Sequence, residues 1–389
     1  MARNRVIYQS EALYVSKNIN STTSGEHAQL KRVQSANYNF SIERQDVNQF
    51  GQLARIDALV LQSPTVALDF TYYPTDGYNE KALGFYVQTG TLTEANFASG
   101  QMAGSSGQNF YIVTAEEGSD LNTLVGTSAL SGKSAIAIGN GFLSNYTFNA
   151  SVGNLPTTSV SIEGLNIKSS TISGMTGAVG TTGNFIASPT ISPVLGTELG
   201  LTGRVASPTE ATGANGTTQI SALRPGDLTI SFGDYTGANA TGAPLSSLEG
   251  ADGINIQSVS LALPLSRTPI ERLGSKFAFA RVVDFPIVAT MNVSAILNEI
   301  QAKSLASMLD DNTKRTITLT IKKPTGGNAL IFKFKGSQLQ SESFSSSIGA
   351  NKTVDLVFQT QVGGPSDTAN GVYLSGSYSE NTVEGNWGY

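Results

Sequence analysis

The sequence predicts a mainly β fold: two related β-sandwich or barrel-forming domains, each with one helix, and extended arms. Two observations lead there. Most patterned segments alternate apolar and polar residues with period two, and one layout of residues occurs twice along the chain.

In chain order, the alternation runs through Tyr38, Phe40 and Ile42, then Leu68, Phe70 and Tyr72, then Tyr146, Phe148, Ala150 and Val152. It returns in Ile317, Leu319 and Ile321 against Thr316, Thr318 and Thr320, in Phe332 and Phe334 against Lys333 and Lys335, and in Val354, Leu356 and Phe358. Each segment reads as a strand with one buried and one wet face. Sheets wetted on one side are typically antiparallel.

Two stretches read as helices. Across residues 292–309, Ile296, Leu297, Ile300, Leu305, Met308 and Leu309 recur at helical spacing, and Asp310-Asp311-Asn312 closes the run. Thr91 and Glu94 have capping-box spacing ahead of Ala95, Asn96 and Phe97.

The repeat is carried by paired anchors. Arg44, Gly51, Val60, Pro64 and Val66 in the first half answer to Arg267, Gly274, Val283, Pro286 and Val288 in the second. Arg and Gly are seven residues apart in both copies, and Gly and Val nine apart in both. Gly to Pro is thirteen against twelve, so one gap aligns them. Downstream, the segment from Asn145 to Ile162 matches that from Ser341 to Phe358 as strand, Gly-containing turn, strand. The strand opening at Arg5-Val-Ile-Tyr8 answers to the one after Asp227.

These correspondences place a first domain at residues 1–167 and a second at 224–362. Between them, residues 168–223 are rich in Gly, Ser, Thr and Pro yet keep Phe185, Ile186, Leu199 and Leu201, which suits an arm that packs on something. Residues 363–389 form a polar C-terminal extension carrying Tyr373, Tyr378, Trp387 and Tyr389, which suits a segment laid on another subunit.

Composition narrows the chemistry. The chain has no Cys and a single His27, which removes disulfides, thiolate chemistry and multi-histidine metal clusters. His27 lies in a Ser/Thr/Gly stretch that reads as a solvated loop, with no nucleophile elbow beside it. Only 14% of residues are charged, and 45 Ser and 39 Thr take that place. The net charge of −5 gives no chain-wide basic character, so contact with DNA is expected to be non-adhesive. The start lacks an apolar signal core and no window reaches 18 apolar residues, so a cytosolic chain without a membrane anchor is expected.

No motif assembles a catalytic, metal or cofactor site. Gly132-Lys133-Ser134 lacks the first glycine of a phosphate-binding loop, since Thr127 stands there. Gly139-Asn140-Gly141 lacks a βαβ setting and reads as a hairpin turn. The carboxylate pairs Glu116-Glu117 and Asp310-Asp311 read as solvated turns. Lys322, Lys323, Lys333 and Lys335 surround the Gly326-Gly327 turn as a small basic patch that meets an acidic neighbour or blunts an edge strand.

Arg5-Val-Ile-Tyr8, the paired blocks from Arg44 to Tyr72 and from Arg267 to Ile296, and the helix through Leu309 together resemble the tail tube proteins of tailed bacteriophages. The resemblance covers about three quarters of the chain by layout. It implies a non-enzymatic virion subunit, assembled in the host cytoplasm, with no cofactor. Its partners would be copies of itself in trimeric, pseudo-hexameric rings that stack into a tube, other tail proteins, and DNA as transient lumenal cargo. It transfers no individual site residue. Other readings are a tube-initiating baseplate ring, a tail terminator, or a β-sandwich adhesin that binds glycans. Hydrolytic chemistry through His27 is the least supported.

Overall fold

The computed structural model describes residues 11–16, 27–60, 65–89, 95–103, 107–115, 133–171, 222–233, 254–271, 273, 278, 280–297, 313–323, 327–347 and 351–378. They form a mainly β, antiparallel structure. In the first half the strands are β1 (Glu11–Ser16), β2 (His27–Gln29), β3 (Val33–Ser41), β4 (Arg44–Val47), β5 (Asp57–Val60) and β6 (Thr65–Tyr72). The short helices α1 (Tyr78–Ala82) and α2 (Ser99–Ala103) follow, then β7 (Gln108–Thr114), β8 (Ser134–Ser151), β9 (Thr157–Gly164) and β10 (Asn166–Thr171). The second half has β11 (Leu228–Ser231), β12 (Ile254–Pro264), β13 (Arg267–Ile270), β14 (Ala280–Val283), β15 (Val288–Leu297), β16 (Arg315–Lys322), β17 (Asn328–Ser345), β18 (Thr353–Gln361) and β19 (Gly371–Gly376).

The two halves are wired alike. In the first, the ladder runs β3-β6-β9-β8, with β8 also holding β7 and β10, β7 holding β1, and β4-β5 as a separate hairpin. In the second it runs β12-β15-β18-β17, with β17 also holding β16 and β19, β16 holding β11, and β13-β14 as the hairpin. Three of the irregularities in register also agree. A break between Val33 and Ser35 in β3 recurs between Ile256 and Ser258 in β12. The break between Leu143 and Asn145 in β8 recurs between Leu339 and Ser341 in β17. One between Gln108 and Phe110 in β7 recurs between Arg315 and Ile317 in β16. A bulge re-aims every side chain beyond it, so three bulges at matching places fix the same faces inward in both halves.

The anchors fall within this frame. Arg44 pairs directly with Val60, and Arg267 with Val283. Gly51 takes φ 85 at the tip of its hairpin; Gly274 and Pro64 lie outside the described residues. Val66 faces Gly164 as Ala289 faces Thr360, so Val66 answers to Ala289 and the sequence pairing of Val66 with Val288 moves by one residue. The pleat gives the reason: Val66 and Ala289 point into the core at 3% and 0% exposure, while Val288 points to the other face.

Several expectations change. Residues 292–297 belong to β15, bonded to β12 on one side and β18 on the other, because Met291, Val293 and Ala295 alternate inward and pairing on both edges overrides the helical spacing. Residues 298–312, including Leu309 and Asp310-Asp311, lie outside the described residues, as do Thr91, Glu94, Arg5 to Tyr8, Glu116-Glu117 and Gly132. The helix near Phe97 begins later, at Ser99, where the Asn96 side chain accepts the Ala98 N–H at 3.2 Å and holds the preceding turn. His27 opens β2 opposite Ser16 instead of lying in a loop.

Gly139-Asn140-Gly141 is no hairpin turn but lies inside the 18-residue β8, with Asn140 at φ 52. A Cβ on Gly141 would stand 2.8 Å from Ile162 and 2.9 Å from Phe110, so the strand passes there only as glycine. Residues 168–171, expected in the connector, belong to β10 against β8, while the rest of the expected arm through residue 221, and residues 379–389 with Trp387 and Tyr389, lie outside the described residues. The C-terminal extension is, through residue 378, part of the second half. There β19 takes the place against β17 that β10 takes against β8, and Tyr373 and Tyr378 are buried within this chain. Neither β10 nor β19 alternates apolar and polar residues with period two, and long-range pairing marks them as strands.

The halves share one core. Phe97 and Phe148 of the first half pack on Phe332 of the second, with ring centroids 6.5 Å apart for Phe97–Phe332 and 5.2 Å for Phe148–Phe332, and Tyr146 packs edge-on against Phe97. The segment between α1 and α2 also bonds to β19, through Gln88 N–H to Leu374 at 2.8 Å and Phe97 N–H to Val372 at 2.7 Å. The halves join as sheet through β8 and β12, from Ser151–Ser258 to Asn145–Pro264.

Candidate functional site

Joining the halves makes one ladder of eight strands in the order β3-β6-β9-β8-β12-β15-β18-β17. One row of directly opposed residues crosses all of it: Ser35, Thr71, Ser159, Thr147, Ala262, Thr290, Gln359 and Gln338. The next row on the same face is Thr157, Asn149, Ser260, Asn292, Val357 and Ser341. Beyond it come Ser151, Ser258, Ser294, Asp355 and Ser343, and on the far side Asn37, Asp69, Ser161, Asn145 and Pro264.

This face holds small hydroxyls and amides with two carboxylates, Asp69 and Asp355, and neither Lys nor Arg. A third carboxylate beside it, Glu163, is held by Arg281 at 3.0 Å. Where β8, β12, β15 and β18 run together the face forms a trough of 820 Å³. The reverse face is apolar and buried: Phe148, Ala150, Val259, Leu261, Met291, Val293, Leu356 and Phe358. Such a polar face stays hydrated, and without cations it offers a polyanion no phosphate contacts.

The two ends of the ladder differ from its middle. Along β3, Tyr38 and Phe40 are 42% and 57% exposed, with Ile42 beyond them at 43%. On the outer half of β17, Phe344 is 41% exposed. These are apolar groups at strand edges that have no partner strand among the described residues.

The basic residues sit elsewhere. Lys322 and Lys323 lie at the turn joining β16 to β17, as expected from the sequence. Lys333 and Lys335 lie on the part of β17 flanked by β16 and β19, so they do not blunt an edge. Lys335 caps the Tyr373 ring at 4.4 Å.

Among the described residues one carboxyl is deeply buried. Glu80 of α1 is 1% exposed and accepts the hydroxyls of Tyr72 at 2.8 Å and Tyr146 at 3.2 Å. Burial pushes its carboxyl up from the ordinary carboxylate value, opposed by the Tyr72 hydrogen bond. It ties α1 to β6 and β8 in a closed interior. Among the described residues no group of three or more His, Asp or Glu side chains could hold a metal ion, and no helix is long and apolar enough to cross a membrane.

Sequence reasoning missed the polar face as a surface. Its residues are the partners of the apolar positions that marked the strands, and the signal was the regular Ser, Thr and Asn in the alternate places of both halves.

No known family profile matches the chain, and no curated protein matches it. Among solved structures, a chain from the tail of an empty GTA particle, computed with helical refinement in C6 symmetry, is similar over 38% of this chain and 100% of that chain. The identity is 16% and the TM-score 0.21. That is a distant likeness to a tail-particle protein, too slight to carry an argument about function.

Proposed function

We propose that the protein is a structural, non-catalytic subunit of a phage-type tail tube, in which three chains form a pseudo-hexameric ring of six like units and rings stack into a conduit for DNA. The observation that carries this reading is the eight-stranded ladder, four successive rows of whose polar face hold two carboxylates and neither Lys nor Arg. A polymer of phosphates slides along such a wall instead of binding it.

The duplicated wiring supports the stoichiometry, because two like units per chain make a threefold ring of chains behave as a sixfold ring of units. Eight strands per chain in three chains, spaced about 4.8 Å, give a circumference of about 115 Å and a bore of about 37 Å between backbones, before strand tilt widens it. The acids, Asp69 and Asp355, would then face the lumen.

Electron microscopy and mass measurement of the purified protein at high concentration test the reading. Stacked rings of three chains are the expected result. A monomer at every concentration would refute it, and single rings that never stack would favour a terminator or initiator ring.

A further inference from the structure

The chain contains both halves of a junction that it makes only once. Inside the molecule, β8 pairs with β12, and the apolar side chains at that seam are closed off: Leu261, Leu263, Leu265, Tyr146 and Phe148 are each 0% exposed. The shared registers identify the counterpart of each partner. β3 holds the place of β12, with Tyr38, Phe40 and Ile42 where Leu261, Leu263 and Leu265 stand. The outer half of β17 holds the place of the β12-bonded half of β8, with Phe344 where Phe148 stands. Those counterparts are the exposed edge residues, at 42%, 57%, 43% and 41%.

We infer that β3 of one copy pairs antiparallel with the outer half of β17 of a second copy, in the register of the internal seam. Ala262 faces Thr147 and Leu261 faces Phe148 inside the chain, so Asn39 would face Ser343 and Tyr38 would face Phe344 between chains. The occupant is a second copy of this chain because the chain carries both complementary edges: the same bulges shape both partners, and apolar side chains recur along the seam except at Glu342, which stands where Tyr146 does and would face Phe40. The pairing is head-to-tail, since β3 and β17 are opposite ends of one ladder, and a head-to-tail contact either closes into a ring or runs on as a filament. It continues the polar face from chain to chain without a break. The β4-β5 hairpin would lie on the neighbour as β13-β14 lies on the first half, bringing Arg44 to Gln338, the counterpart of Phe142 under Arg267.

The pairing rests on the proposed function only for the premise that copies associate side by side. The absence of Cys makes the test clean. The double variant Asn39→Cys/Ser343→Cys, oxidised mildly, is expected to convert monomer into a ladder of covalent dimers and trimers. A mixture of the two single variants should stop at dimers. Thr147→Cys/Ala262→Cys, in the same register inside one chain, shows that the spacing permits the bond. If that internal pair closes while Asn39→Cys/Ser343→Cys stays monomeric, the register is wrong. Stacked rings in the microscope without the cross-link would overturn the pairing and leave the tube reading standing, whereas cross-linked chains that never stack would keep the register and sink the tube.

Discussion

The two β-hairpins that follow β3 and β12 have the same register and the same leading Arg–Val pair, yet their surroundings differ. In β13-β14, Arg267 and Arg281 are 9% and 8% exposed. Arg267 donates to the Gln101 carbonyl at 2.9 Å and covers the Phe142 ring, and Arg281 meets Glu163. Burial, with Arg281 nearby, brings the Arg267 guanidinium down to about 10. In β4-β5, Arg44 is exposed, and the ion pair of Arg55 with Asp46, 2.8 Å long, stands in solvent. Val283 is 7% exposed and Val60 is 45%. The hairpin thus forms from its own turn and pairing, and a neighbouring half decides whether its charges and apolar groups are buried.

That contrast is open to attack at matched positions. Leu263→Asp places a carboxylate in the closed seam and should cost about 4 kcal/mol or more, unfolding the monomer. Phe40→Asp, at the matching place on β3, should leave the monomer's unfolding free energy within about 0.5 kcal/mol and abolish ring assembly. Chemical denaturation and sizing together read both outcomes; equal destabilisation by the two would break the comparison.

A smaller effect is expected at the matched pair Gly141 and Ser337. Gly141→Ala drives a methyl into Ile162 and Phe110 and should cost about 1–3 kcal/mol. Ser337, in the same place on β17, is 0% exposed and bonds the Arg315 carbonyl at 3.1 Å, so Ser337→Gly should cost about 1 kcal/mol. Urea titration reads both losses, with the larger expected at Gly141.

Glu80 gives a pH signature confined to the first half. Its folded pKa lies above the ordinary value, so the folded chain binds the proton more tightly. The stability this provides is present below pH about 4.5 and is lost as pH rises through the raised folded value. Thermal midpoints of Glu80→Gln should lack that loss, and an unchanged pH profile would show that the Glu80 carboxyl binds its proton equally in the folded and unfolded chain.

The smallest effect on stability belongs to the polar face. Ser260→Lys with Asn292→Lys should shift unfolding by no more than about 0.5 kcal/mol. The added cations should make assembled protein retain DNA at low salt, with a salt slope of about −0.9 for each phosphate they neutralise. No retention would argue that this face does not meet DNA.

Much of the fold was legible because strands wetted on one face write their pleat into the sequence. Phe70, Phe148, Ile317 and Leu356 all sit inward as their alternation requires. Helical spacing misled at Asn292 to Leu297, since short apolar runs suit either period and pairing on both edges decided for β15. β10 and β19 were illegible because these six-residue strands show no period-two alternation, and they form by adding to the long β8 and β17.

The sequence by itself determined the β class, the repeat and its Arg–Val anchors, the poverty of charge and the absence of thiols, because these reside in composition and local spacing. Tertiary structure alone decided which polar residues share one face, that β8 meets β12, and that β3 and β17 are left at the two ends. Those facts depend on pairing between segments far apart in the chain, where bulges and register, not local propensity, set the partner.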